Sequence, residues 1–305
     1  MKIAVIGGGA IGSYYAGLLS RAGTSVRLIT RGEHLSAVRA HGLEIRTPEE
    51  RFVTPVQATG DGAAAANSDF VVVAVKGYSL GDIAPALVTA SRSGAAILPL
   101  LNGVDVAERI ETFGVPRQSI IGGLASVSVF RTAPGVIERR SPFDSIVLGE
   151  LDRVPRDRSA WLADALTQAG TSARVSDDIS HDLWRKFAFI VPMTVVCGLS
   201  RRPAGASLER ERGRALFSGA LAEIVAISRA TGAALDDEDA RRIEVNLLAL
   251  PPGMRPSFLA DLERGGPTEL DLLAGAVSRL GRRVGIPTPI HDVATAAFEA
   301  ATAPE

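Results

Sequence analysis

Six residues near the amino terminus constrain this chain more than any others: Gly7-Gly8-Gly9-Ala10-Ile11-Gly12. They follow KIAVI (Lys2–Ile6), a continuous apolar run of the kind that forms a strand buried on both faces. They precede a stretch that reads as a helix over about residues 11–22, with Gly23 as its stop. A G-x-G-x-x-G turn between strand and helix is the signature of a dinucleotide-binding unit. Gly7 permits the tight turn, Gly9 lets the backbone approach a pyrophosphate, and Gly12 lets the helix pack close to the strand. The pyrophosphate rests on N–H groups at the helix start, so the whole run, with Gly8, Ala10 and Ile11, is expected to bind cofactor. The competing reading is a glycine turn with a structural purpose only.

Further strands are expected at Ser25–Ile29 and over residues 69–75, 96–101 and 120–130, with helices around 35–41 and 80–91 between them. Strands alternating with helices imply an α/β fold with a parallel, doubly wound sheet. Residues 135–151 alternate as short strands, the pattern of a hairpin or sheet edge. A helix over 158–168 and a strand over 172–175 follow. Beyond Asp178 the strand pattern stops. Residues 180–200, 208–231, 237–249, 268–284 and 289–301 read as helices, with Pro203, Pro251, Pro252, Pro256, Pro287 and Pro289 in or near the gaps. The expected organisation is an α/β domain over residues 1–177 and an all-α domain over 178–305.

Composition acts as a set of exclusions. The 33 basic and 34 acidic residues leave a net charge of −1, which argues against a nucleic-acid or membrane-surface partner. Cys197 is the only cysteine, so neither an intrachain disulfide nor a thiolate zinc cluster is expected. His34, His41, His181 and His291 lack ligand spacing, so no metal is expected. Glycines break the first apolar run too early for a secretory signal, and no uninterrupted apolar stretch reaches the ~18–20 residues of a membrane span. A soluble, cytoplasmic protein is expected.

The second strand ends at Ile29-Thr30-Arg31-Gly32. An NAD site places Asp or Glu there to bind the ribose 2′-hydroxyl. A guanidinium instead suits a 2′-phosphate, so NADP(H) is the expected cofactor. The alternative makes Arg31 a surface residue and Glu33 the acidic group. Lys76 follows the third strand at its carboxyl end, where doubly wound sheets bind ligands. It reads as a contact to the adenosine side of the cofactor, or as a solvated strand-end lysine. Asn102-Gly103, after the fourth strand, offers an amide to a nicotinamide or substrate, or is an ordinary turn. Only three of the 33 basic residues are lysines (Lys2, Lys76 and Lys186), so each is a candidate for work that arginine does badly.

Together the motifs place the chain close to a known family. It resembles the 2-dehydropantoate 2-reductase (ketopantoate reductase) family over essentially its whole length. The matching pieces are GGGAIG, TRGEHL around Arg31, VAVKG around Lys76 and LNG around Asn102. Later come LWRKF around Lys186, Glu223 in AEIVAISRATG, and PSFLADLERGGPTELD, which carries Ser257, Asp261 and Glu269. The resemblance implies a Rossmann domain followed by a helical domain, NADPH as hydride donor, and a small 2-oxo acid as substrate. Lys186 matches the family's catalytic lysine and Glu269 its partner carboxylate. Asn102 and Ser257 match substrate or nicotinamide contacts. The chemistry is coherent: hydride arriving at a ketone puts negative charge on oxygen, which an ammonium stabilises and protonates. Arginine, with a pKa above ~12, is an unwilling proton donor.

The chain also departs from the family. Asparagines are characteristic at the positions of Ile190 and Thr194, before Gly205 (here Ala204), and three residues before Ser257 (here Met254). The expected substrate-side residues are therefore Asn102, Ile190, Thr194, Met254 and Ser257, in a drier pocket. Losing amides changes which substrate is preferred. Two alternatives follow: reduction of a more apolar ketone or of a C=N (imine) bond, and an NADP(H)-binding sensor without catalysis. Arg255 reads as a substitute carboxylate clamp or a surface residue, His181 as a site neighbour or a solvent-facing residue, and Glu223 as a structural carboxylate. A homodimer is the assembly left open.

Overall fold

The run KIAVI forms β1 (Lys2–Ile6), buried from Ile3 onward. The computed structural model describes residues 1–302. After β1 come α1 (Ala10–Arg21), β2 (Ser25–Ile29), α2 (Gly32–His41), β3 (Leu43–Arg46), β4 (Arg51–Thr54) and β5 (Gln57–Thr59). Then follow β6 (Phe70–Val73), α3 (Leu80–Arg92), β7 (Ala96–Pro99) and α4 (Val106–Thr112). The first sheet has the order β5-β2-β1-β6-β7, and every pairing in it is parallel. The chain runs outward from β1 through β2 to β5, then crosses to β6 and β7. The order reverses between β1 and β6, and the carboxyl ends of those strands form the switch point where such sheets bind ligands.

The second sheet is built on a long antiparallel hairpin, β8 (Ile121–Ala133) and β9 (Val136–Glu150). After α5 (Asp157–Gln168), β10 (Ser172–Val175) pairs with β9. On the same edge of β9, opposite β8, its first residues pair with β3, which pairs with β4. This corrects the expectation that residues 120–130 extend the first parallel sheet. Among the described residues that stretch makes one parallel backbone bridge to β7, Ile97–Ile120, and from Ile121 it pairs with β9. The short strands β3, β4 and β5 and the seven-residue α4 carry too little periodicity to be anticipated.

By packing, residues Met1–Leu101 and Val106–Ile179 form one compact unit, and Asn102–Asp105 packs with the chain from Ser180 onward in a second. Buried Asp105 accepts a 2.6 Å hydrogen bond from Arg279 and so ties Asn102–Asp105 to the second unit. That unit contains α6 (Ile179–Ser200), α7 (Ala204–Leu208), α8 (Glu211–Ala230) and α9 (Asp237–Leu248). It continues with α10 (Ser257–Glu263), α11 (Ala274–Val284) and α12 (Pro289–Thr302). Phe187, Phe217, Phe258 and Phe298 are fully buried at its centre. By length and composition alone α6 is long and apolar enough to cross a membrane, and most of it is buried in this core.

Two expected helices are interrupted. Residues 208–231 divide at Arg210, which is extended, and just beyond it Gly213 packs so close to Ser207 that a Cβ would lie 1.9 Å from its carbonyl oxygen. Residues 268–284 begin as a 3-10 turn over Leu270–Leu272, and the α-helix starts only at Ala274.

Candidate active site

The glycine turn of the first unit is shaped by close backbone contacts. Gly7 has φ +116°, and a Cβ there would lie 2.5 Å from the Ala74 carbonyl oxygen at the end of β6. A Cβ on Gly12 would lie 2.0 Å from the Gly7 carbonyl oxygen, so α1 rests on the turn itself. Gly8 is buried against Thr30, at the end of β2. Gly9 differs: it is exposed, and its missing side chain faces nothing nearer than 3.9 Å. As N-cap of α1 it makes no side-chain cap, leaving the N–H groups at Ala10 and Ile11 unserved by a capping side chain. An open backbone cradle at a helix start, on the switch point, fits a dinucleotide pyrophosphate.

Around this turn stand three cationic residues. Arg31 is exposed at the start of α2, and its guanidinium pairs with no described residue. Lys76 is partly buried three residues after β6. Arg131 arrives from the β8–β9 hairpin and donates a 3.2 Å hydrogen bond to the Gly8 carbonyl. Beneath it lies a buried link between helices. The Gly135 N–H donates to His34 Nδ1 at 3.0 Å, so the ring proton is on Nε2, 2.9 Å from the fully buried Ser13 Oγ. Burial, reinforced by the charge of Arg131, pushes the His34 imidazole down to about 4 and keeps it neutral. Sequence reasoning found neither Arg131 nor the Ser13–His34–Gly135 link, because no local motif joins residues so distant in the chain.

In the second unit, Lys186 lies on α6 and is partly buried, and Glu269 is buried just before the 3-10 turn. Burial pushes the Lys186 ammonium down to about 8, while the Glu269 carboxylate raises it. The two charges therefore act on each other across 83 positions of sequence, a coupling no spacing motif reveals. Asn102 is partly buried, and its amide has no partner among the described residues. Ser257 opens α10, exposed and with no partner for its hydroxyl among the described residues.

The positions that depart from the family pattern share an apolar setting. Ile190 and Met254 pack against the core of this unit, Ala204 is buried in it, and the Ala204 N–H donates to the Met254 carbonyl at 2.9 Å. The Thr194 hydroxyl is buried and spent within α6, donating to the Ile190 carbonyl at 3.0 Å. Arg255 is exposed and paired with Glu263. His181 bonds Asp239 at 2.9 Å. Glu223 accepts from the backbone N–H groups of Ile290 (2.8 Å) and His291 (3.3 Å) and lies 2.5 Å from His291 Nδ1, which makes it a brace for the start of α12.

Comparison with known proteins covers both units. The family described as "Ketopantoate reductase PanE/ApbA" matches residues 3–153, and "Ketopantoate reductase PanE/ApbA C terminal" matches residues 178–302. A 2-dehydropantoate 2-reductase of Mesorhizobium japonicum is 34% identical over 318 residues, spanning 97% of this chain and 96% of its own length. The crystal structure of a PanE/ApbA family ketopantoate reductase from Ralstonia eutropha superposes with a TM-score of 0.89 at 29% identity, over 99% of this chain and 98% of that one. The complex of D-mandelate dehydrogenase with NADH superposes with a TM-score of 0.86 at 25% identity, over 98% of each chain.

Proposed function

Because the chain belongs to the ketopantoate reductase family, we propose that it reduces the carbonyl of a small 2-oxo acid with NADPH, and that Lys186 donates the proton. The observation that carries this reading is the family match over both units, residues 3–153 and 178–302, which takes in Lys186, whose ammonium burial pushes down to about 8 while the Glu269 carboxylate raises it. Such a lysine is mostly protonated at neutral pH, yet gives up its proton more readily than a solvated one. Bound NADPH supplies the hydride. As charge grows on the carbonyl oxygen, the Lys186 ammonium stabilises it and delivers its proton. Glu269 keeps Lys186 charged until that moment and is the organiser of the pair.

The remaining residues hold the reactants. The backbone from Gly7 to Gly12 accommodates the pyrophosphate, Arg31 takes the 2′-phosphate, and Lys76 takes the adenosine side. The unpaired Asn102 amide and Ser257 hydroxyl hold the nicotinamide or the substrate. Ile190, Thr194 and Met254 line the substrate side. The apolar packing of Ile190 and Met254 favours a second reading of the same chemistry, in which the preferred 2-oxo acid is less hydroxylated than ketopantoate. The relative named D-mandelate dehydrogenase points to 2-oxo and 2-hydroxy acids with apolar groups on this fold, and its NADH makes the choice of nicotinamide a measurement to take.

The test is steady-state turnover with NADPH and with NADH over ketopantoate, apolar 2-oxo acids, simple ketones and cyclic imines. NADPH-dependent reduction of a 2-oxo acid, abolished by Lys186→Ala, is expected. Ordinary efficiency on ketopantoate sinks the altered-pocket reading. Tight NADPH binding with no reduction of any substrate replaces the enzyme by a sensor.

A further inference from the structure

We propose that Arg131 is a second cation for the cofactor's 2′-phosphate, acting with Arg31 to select NADPH over NADH. The inference rests on the NADPH reading above. Arg131 belongs to the β8–β9 hairpin and to no dinucleotide motif, yet one guanidinium nitrogen reaches the Gly8 carbonyl inside the glycine turn. The hairpin register shifts between Arg131 and Ala133, an irregularity of the kind that re-aims a side chain beside a site.

The side of the turn that it occupies decides which phosphate it serves. The tip of its hairpin lies against α2: the Gly135 N–H donates to the His34 ring at 3.0 Å, and a Cβ on Gly135 would lie 3.2 Å from the Ala37 Cβ. The charge of Arg131 is felt by that same ring. Arg131 therefore stands on the α2 side of the glycine turn, beside the end of β2, where this fold reads the ribose 2′ position. It is exposed, and no carboxylate among the described residues neutralises it. A guanidinium anchored through one N–H keeps the others for a phosphate, and its planar fork suits that geometry.

The experiment measures dissociation constants by fluorescence titration on the full-length protein. The probes are NADPH, NADH and adenosine 2′,5′-bisphosphate, which lacks both nicotinamide and pyrophosphate. Arg131→Ala is expected to weaken NADPH and the bisphosphate by roughly tenfold and to leave NADH nearly unchanged. Arg131→Gln keeps a donor for Gly8 without the charge and is expected to lose the same selectivity. Recovery of NADPH binding in Arg131→Gln would show that the Gly8 bond alone matters, and would overturn the proposal. Equal weakening of NADPH and NADH by Arg131→Ala, or no weakening of either, overturns it as well. A wild-type protein that binds NADH as tightly as NADPH instead brings down the cofactor reading itself, which separates the two failures.

Discussion

The two units build their candidate sites from different materials. In the first, the turn from Gly7 to Gly12 works through backbone: Gly7 and Gly12 have no room for a side chain, and Gly9 leaves the approach open. In the second, the candidate site is one side-chain charge pair, Lys186 and Glu269, in a helical unit with an aromatic core. A backbone site is sensitive to added atoms, because its function is shape. A charge-pair site is sensitive to removed charge, because its proposed function is the ionisation of one ammonium. The contrast makes the units breakable in opposite ways.

The largest effect is expected from removing the ammonium. On the proposed reading, Lys186→Ala lowers kcat by roughly 10²- to 10⁴-fold, the range of a positioned general acid. NADPH binding, measured by fluorescence titration, stays intact. Lys186→Arg restores charge without restoring activity, because arginine does not release its proton. Unchanged kcat in Lys186→Ala would remove the second unit's site altogether.

Next comes the addition of atoms to the first unit. In Gly12→Ala, the new Cβ would lie 2.0 Å from the Gly7 carbonyl oxygen, so backbone must move. Overpacking of this kind costs about 1–3 kcal/mol, read as a lowered Tm together with weakened NADPH binding. Gly9→Ala is the control: with nothing nearer than 3.9 Å, it leaves Tm in place and weakens only the cofactor. Equal Tm losses in the two variants would contradict the open cradle.

The same contrast governs what the chain reveals before it folds. The glycine turn is legible because its constraints are local: Gly7 and Gly12 are five positions apart and meet through backbone. The doubly wound sheet is legible for the same reason, since β1, β2 and β6 are buried apolar runs. The second sheet is harder. Whether residues 121–133 join the first sheet or pair with β9 depends on partners that periodicity does not encode. Arg131 at Gly8 and Gly135 at His34 join residues 123 and 101 positions apart, with no motif between them. The scarcity of lysine is only a hint at Lys186, and Lys186 and Glu269 come together only through resemblance to a family, since neither a helix lysine nor an acid before a helical turn is unusual by itself.

A smaller effect separates the two members of the charge pair. On the proposed reading Lys186 donates a proton, so reduction is expected to proceed below its pKa, near 8, and to fade as pH rises through that value. The Glu269 carboxylate raises that pKa against burial. In Glu269→Gln the opposing charge is gone, the pKa falls, and the alkaline limb of kcat/KM moves to lower pH. Activity at pH 8 drops by roughly tenfold, with a smaller loss at pH 6. A limb that stays in place would show that Glu269 does not tune Lys186.

The smallest effect tests whether the second unit's apolar packing also sets substrate choice. Ile190 lies one helical turn after Lys186 and packs against the core, where the family pattern has an amide. Ile190→Asn puts back a donor and an acceptor at that spot and removes apolar volume. The trade is expected to shift the ratio of kcat/KM for ketopantoate over an apolar 2-oxo acid by about 3- to 10-fold toward ketopantoate. It also costs about 1–2 kcal/mol of stability, because the replaced side chain is partly buried. The pH limb stays near 8, since the Lys186–Glu269 pair is untouched. NADPH affinity stays as well, since the glycine turn belongs to the other unit. A shift in selectivity without movement of either marker assigns substrate choice to side-chain chemistry on α6. A fall in turnover for both acids alike would instead make Ile190 a packing residue and return substrate choice to Asn102 and Ser257.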